Sequence, residues 1–207
     1  MDLSLDEGLQ ILRPHLDALY MLPKNAWKRY QEIPSEFSAI FSKRTRASAM
    51  HDLMLSEAAS YACKVDGIRW FTVNKLSGFI IDEKIAIRFK KLDSQKISRN
   101  IPTNQVISFR GQRNIPGIDV IHHLELGYHL DSLERGIAEI CITYPSGLRD
   151  NFWYFNISKS GSVSIVENLF ANKQTDTIHP SEIKPKKTVF PFRKDGTGGH
   201  DDDHSKW

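Results

Sequence analysis

Two cysteines in 207 residues, Cys63 and Cys141, stand in apolar surroundings without a CxxC or CxxH neighbour. That excludes a disulfide framework and a zinc knuckle, and both thiols are expected to be buried. No window approaches the roughly 18 uninterrupted apolar residues of a spanning helix, and MDLSLDEGLQ has no basic-then-apolar signal, so a cytoplasmic chain is expected. Glycine-rich phosphate loops, nucleophile elbows, HExxH spacing, helix-turn-helix patterns and paired-aromatic RNA platforms are all missing. His122 and His123 are adjacent, so on a strand they point to opposite faces and cannot share a metal.

What is present describes a folded chain: 40% of residues are hydrophobic and 26% charged, with a net charge of +3. The charge is unevenly spread. Asp82 to Arg113 carries eight bases against three acids, whereas Asp119 to Glu139 carries five acids against Arg135 alone. A basic face and an acidic face are the expectation.

Leu5, Leu9, Leu12, Leu16 and Leu19 recur at helical spacing, with Pro14 as a break, and amphipathic stretches continue through Lys24–Ile33 and Glu36–Phe41. Met50, Leu53, Met54, Ala58 and Tyr61 predict a further helix over Ala47–Lys64, ended by the turn after it. Beyond Gly67 the period changes. Strands are predicted at Ile68–Val73, Gly78–Ile81 and Ile85–Phe89, with Asp82-Glu83-Lys84 as a hairpin turn. A helix capped by Thr103 runs to about Arg113, and strands follow at Val120–Tyr128, Ile137–Tyr144 and Phe152–Ile157. Phe152 to Phe155 read as a core strand; if one face were open, Trp153 and Phe155 would form the apolar patch. The fold class is therefore α+β (mixed): a helical N-terminal region and a central, mostly antiparallel sheet flanked by helices. The domain spans 1–171, helical over 1–65 and sheet-rich over 66–171. A polar, flexible tail over 172–207 includes His200-Asp201-Asp202-Asp203-His204.

The order helix, three strands, helix, strand from Ala47 to Tyr144, with Glu57 on the first helix, resembles the core of the PD-(D/E)xK nuclease superfamily. The resemblance implies a divalent metal held by an acid near the second strand and a (D/E)xK triplet on the third. Here the triplet is Arg88-Phe89-Lys90, and Asn74 stands near the expected aspartate, so carboxylates at the metal are missing. Gln105 and Phe109 are similar to the QxxxY signature of some members. An active nuclease would have to use Glu57, Asp82, Glu83 and Lys90 with Mg²⁺; otherwise no metal and no cofactor is expected.

A second resemblance runs through RTRASAMHDLM, IRFKKLD, RNIPTNQ, PGI and GYHLD. These are similar to uncharacterised bacterial proteins associated with ImmA/IrrE-type metallopeptidase genes, which implies a defence, toxin-antitoxin or mobile-element setting and a protein partner. Arg88, Lys90, Lys91, Lys96, Arg99, Arg110 and Arg113 form the candidate phosphate-contacting series, should the partner be DNA or RNA. A solvated strand edge and loop is the alternative for the same series. The sequence thus points to a non-catalytic protein that binds a protein partner, nucleic acid or both, with a metal-dependent nuclease as the alternative.

Overall fold

The computed structural model describes residues 2–99, 101–120, 122–159 and 162–165. The chain divides into two units, the first of them Met1–Leu169. The tail expected over 172–207 lies outside the described residues.

Helix α1 (Leu5–Leu12) starts at a capping box in which the Ser4 side chain accepts from the Glu7 N–H and Glu7 reaches back to the Ser4 N–H. Pro14 ends it, as expected, through a single 3₁₀ turn (Arg13–His15), after which α2 (Leu16–Gln31) continues past Pro23. The region expected to be helical over Glu36–Phe41 forms only α3 (Ser35–Ser38). Helix α4 (Lys43–Ala62) begins four residues before Ala47, because the Ser42 hydroxyl accepts from the Thr45 N–H at 3.1 Å and supplies the cap.

The strands are β1 (Ile68–Val73), β2 (Leu76–Ile81), β3 (Ile85–Lys91), β4 (His122–Leu130), β5 (Ile137–Pro145), β6 (Asn151–Ile157) and β7 (Val163–Ile165). They lie side by side in chain order. Every neighbouring pair is antiparallel except β3 and β4, which run parallel because the connection carries the chain back along the sheet. That crossover contains α5 (Asn104–Arg110), whose cap is Thr103, its hydroxyl accepting from the Val106 N–H at 3.3 Å. The mixed α+β reading therefore holds. Strand β7 was not anticipated, and β2 starts two residues before Gly78, because Asn74 and Lys75 both take positive φ and close a two-residue turn that pairs Val73 with Leu76.

The two faces of the sheet differ. Ile85, Ile87 and Phe89 of β3, Leu124, Leu126 and Tyr128 of β4, and Ile140, Ile142 and Tyr144 of β5 share one apolar core with Leu12, Leu19, Met50, Met54 and Ala58 of the helices. The Met50, Met54 and Ala58 part of the predicted stripe is buried, and each of the two methionine side chains contributes on the order of 2 kcal/mol of transfer free energy. The opposite face, under α5, holds a smaller apolar group of Phe71, Ile80, Ala86, Phe109, Ile115 and Ile118. Beside it lie the buried charges. Gly127 is required on this face: a Cβ there would stand 2.3 Å from Leu92, which covers β4.

Trp153 and Phe155 pack on the helix side, where the Trp153 Nε1–H donates to the Leu3 carbonyl at 2.8 Å. The residue of β6 left open is Phe152, 48% exposed, so the conditional patch at Trp153 and Phe155 does not exist. Cys141 is buried as expected, but Cys63 is exposed, because it caps the C-terminus of α4 where the chain leaves the core.

Candidate functional site

The basic and acidic runs do not make separate faces. Parallel pairing sets Arg88 of β3 directly beside Glu125 of β4, and both are buried. The Arg88 Nε–H donates to Glu125 Oε1 at 3.0 Å, and the guanidinium lies 4.3 Å over the Phe109 ring. Arg110 of α5 reaches Glu125 Oε2 at 2.5 Å and Ser98 Oγ at 2.9 Å. Its remaining N–H groups hold the carbonyls of Gly147 and Asp150 and the side chain of Asn151. Burial alone would raise the Glu125 carboxyl, but the two guanidiniums hold it below the usual carboxylate range. Lys96, also buried, pairs with Glu139 of β5.

Three of the seven cations expected to meet phosphate, Arg88, Lys96 and Arg110, are thus buried and ion-paired. They cannot form a nucleic-acid face, for register spends them inside the sheet layer. Lys90 lies on the same face, half-buried, its ammonium pushed down to about 8 by burial with Arg88 adding to the effect. Arg99 is exposed and holds Asp93 at 3.2 Å, and Arg113 is exposed in the loop after α5. Lys91, next along β3, points to the opposite face of the sheet from Lys90.

The alternative catalytic set is dispersed. Glu57 lies on the helix side, between Arg29 at 2.8 Å and Asn25 at 3.4 Å. Asp82 and Glu83 form the turn before β3, where Glu83 pairs with exposed Arg69. Lys90 sits five residues beyond the start of β3, roughly 17 Å along the strand, on the face opposite Glu57. Those four side chains do not converge on one ion. Among the described residues no three His, Cys, Asp or Glu side chains group as metal ligands. His122 and His123 do point to opposite faces: His122 meets the Tyr144 hydroxyl at 3.2 Å, whereas His123 stacks on Phe109 at 4.7 Å.

A cleft forms where β3 and β4 end side by side. It encloses about 370 Å³. Its floor is Trp27, Tyr30, Met50, Tyr128 and Leu130, and its cations are Lys43, Arg46, Lys91 and Arg135. One carboxylate, Glu134, stands among them: Lys91 Nζ donates to Oε1 at 3.0 Å, and Arg46 lies 3.4 Å from Oε2. Lys91 above all holds the Glu134 carboxyl below its ordinary range. The Arg46 Nε–H is buried and meets no acceptor among the described residues. A second hollow of about 460 Å³ continues past Lys91 and Glu134 to Asp93, Arg99 and Asp131.

The segments around the cleft also carry apolar side chains that the core does not take up. Phe37 is 54% exposed, Ile40 79% and Leu133 68%. Phe37 and Ile40 flank the lining residues Ser38 and Ala39, and Leu133 sits between Ser132 and Glu134. Of this site the sequence reading contained only Lys91. A signal was available: the first turn of α4 has Lys43, Arg44 and Arg46 and no acid, against the preference of a helix N-terminus for negative charge.

No family model, curated protein or solved structure matches the chain.

Proposed function

We propose that the protein is a non-catalytic binding protein whose partner is another protein, engaged at the end of the sheet where β3 and β4 finish. The observation that carries this reading is the placing of three of the six exposed large hydrophobic residues among those described, Phe37, Ile40 and Leu133, on segments that line one cleft. Apolar side chains grouped with charged ones at a concave end are the chemistry of a protein-binding surface.

Two observations favour a protein over nucleic acid. Arg88, Lys96 and Arg110 are spent inside the fold, and of the three aromatic side chains in the cleft floor Tyr30 and Tyr128 are buried, which leaves half-buried Trp27 alone in place of a platform for successive bases. The separation of Glu57, Asp82 and Glu83 from Lys90 weighs against the nuclease alternative. A cytoplasmic setting suits the two free thiols. No described helix is long and apolar enough to cross a membrane. The defence, toxin-antitoxin or mobile-element setting rests on the resemblance of RTRASAMHDLM and the later segments alone.

The test is selection of a displayed random-peptide library against the immobilised full chain, with the enriched pool re-bound to a Phe37→Ser/Ile40→Ser/Leu133→Ser variant. Enrichment that the triple variant loses supports the reading. No enrichment, or a pool that binds the variant equally, overturns it. So does cleavage of labelled DNA or RNA in Mg²⁺ or Mn²⁺, or tight salt-sensitive binding of either.

A further inference from the structure

Glu134 occupies its cleft in an unusual way. It lies in the turn between β4 and β5 at φ +52°, a left-handed conformation that costs a non-glycine residue about 1 kcal/mol. The turn does not need the Glu134 carboxylate to form, since Asp131 organises it: Asp131 Oδ1 accepts from the N–H groups of Leu133 at 3.0 Å and Arg135 at 2.9 Å. The Asp131 N–H also donates to the Gly136 carbonyl at 2.9 Å. The turn therefore presents a carboxylate to Arg46 and Lys91 without depending on them. Around that carboxylate the charges do not balance, because Lys43, Arg46, Lys91 and Arg135 line the cleft against Glu134 alone. Arg46 in addition keeps a buried N–H without an acceptor among the described residues.

We propose that Glu134 is a built-in stand-in for a partner's carboxylate: the cleft takes an acidic, amphipathic peptide segment whose Asp or Glu side chain replaces Glu134 on Arg46 and Lys91. The apolar residues of that segment rest on half-buried Trp27 within the cleft and on Phe37, Ile40 and Leu133 on the segments beside it. Charge complementarity selects the occupant. An acidic segment neutralises the surplus of cations, whereas a basic one adds to it. The turn gives way because its ion pairs are partly solvated, with Arg46, Lys91 and Glu134 side chains 38%, 34% and 28% exposed. Such pairs are weak and exchangeable.

The inference rests on the protein-partner reading, and the same displayed-peptide selection separates the two. Pools enriched on the wild-type chain should be rich in Asp and Glu interleaved with Leu, Ile or Phe. A peptide synthesised from such a pool should bind Arg46→Ala or Lys91→Ala about tenfold more weakly. It should bind Glu134→Gln about two- to fivefold more tightly, since the competing carboxylate is gone. Lys64→Ala, just past the far end of α4, should bind as the wild type does, and thermal melting of each variant keeps lost binding distinct from lost fold. Pools that need Phe37, Ile40 and Leu133 yet carry no acidic bias, or that bind Lys91→Ala and Glu134→Gln like the wild type, overturn the carboxylate inference and leave the partner reading standing. Pools indifferent to all of these residues overturn both.

Discussion

The α5 face and the cleft at the end of β3 and β4 hold similar side chains in different states. Under α5, Arg88, Arg110 and Glu125 are wholly buried, and Ser98, Asn151 and two backbone carbonyls complete the hydrogen bonding. In the cleft, Arg46, Lys91 and Glu134 are partly solvated, one guanidinium N–H is unpaired among the described residues, and more cations stand nearby than one carboxylate balances. The ion pairs of the first are complete, although His123 and Thr143 beside them keep buried polar atoms without a partner among the described residues. The second is incomplete, and exposed apolar residues surround it. On the proposed reading, basic residues identical in type serve architecture in one place and recognition in the other, and burial with balanced charge tells them apart.

The largest expected effect falls on the complete network. Glu125→Gln leaves two guanidiniums buried without their counter-charge and should destabilise the chain by about 3–5 kcal/mol in urea unfolding. A loss below about 1 kcal/mol would remove the architectural role. Acid should expose the same face. Burial lowers His123 from 6.5 to about 4, so as pH falls the unfolded chain takes up this proton before the folded one does. The stabilisation is full above about pH 6.5 and is lost on descent to about pH 4, amounting to up to about 3 kcal/mol. Glu125, also held below its ordinary value, acts in the same direction at lower pH. His123→Phe keeps the stack on Phe109 and should flatten the upper part of that loss. An unchanged slope between pH 6.5 and 4 would place the proton uptake elsewhere.

A smaller gain is expected from Thr143, whose buried hydroxyl finds no partner among the described residues. Thr143→Val should raise stability by about 1 kcal/mol, read as a shift of the urea midpoint at constant slope. A decrease would reveal a hydrogen bond made by that hydroxyl. The smallest effect belongs to the cleft: Lys91→Ala removes a half-exposed ion pair and should change stability by less than about 1 kcal/mol. A larger loss would turn the cleft into a second piece of architecture and dissolve the contrast.

The sequence was most readable where the signal is local. Thr103 as a cap, Pro14 as a break, the Asp82-Glu83-Lys84 turn and the opposed His122 and His123 all follow from residues within a few positions of one another. Partnership across strands was not readable. Arg88 belongs to a basic run and Glu125 to an acidic one, and only the parallel register between β3 and β4 brings them together. The apolar residues at the cleft were concealed for a related reason. Phe37 and Ile40 sit in a stretch with amphipathic spacing, but α3 stops at Ser38 and leaves both in solvent. Glu134 had no visible role, since its meeting with Arg46 depends on where α4 and the β4–β5 turn come to rest.

The central claim, that the cleft recognises while the α5 face supports, is tested most directly by measuring thermal stability and selected-peptide affinity together for Phe37→Ser/Leu133→Ser. The account predicts lost affinity with an unchanged melting temperature. Affinity retained, or lost only in step with a falling melting temperature, would contradict it.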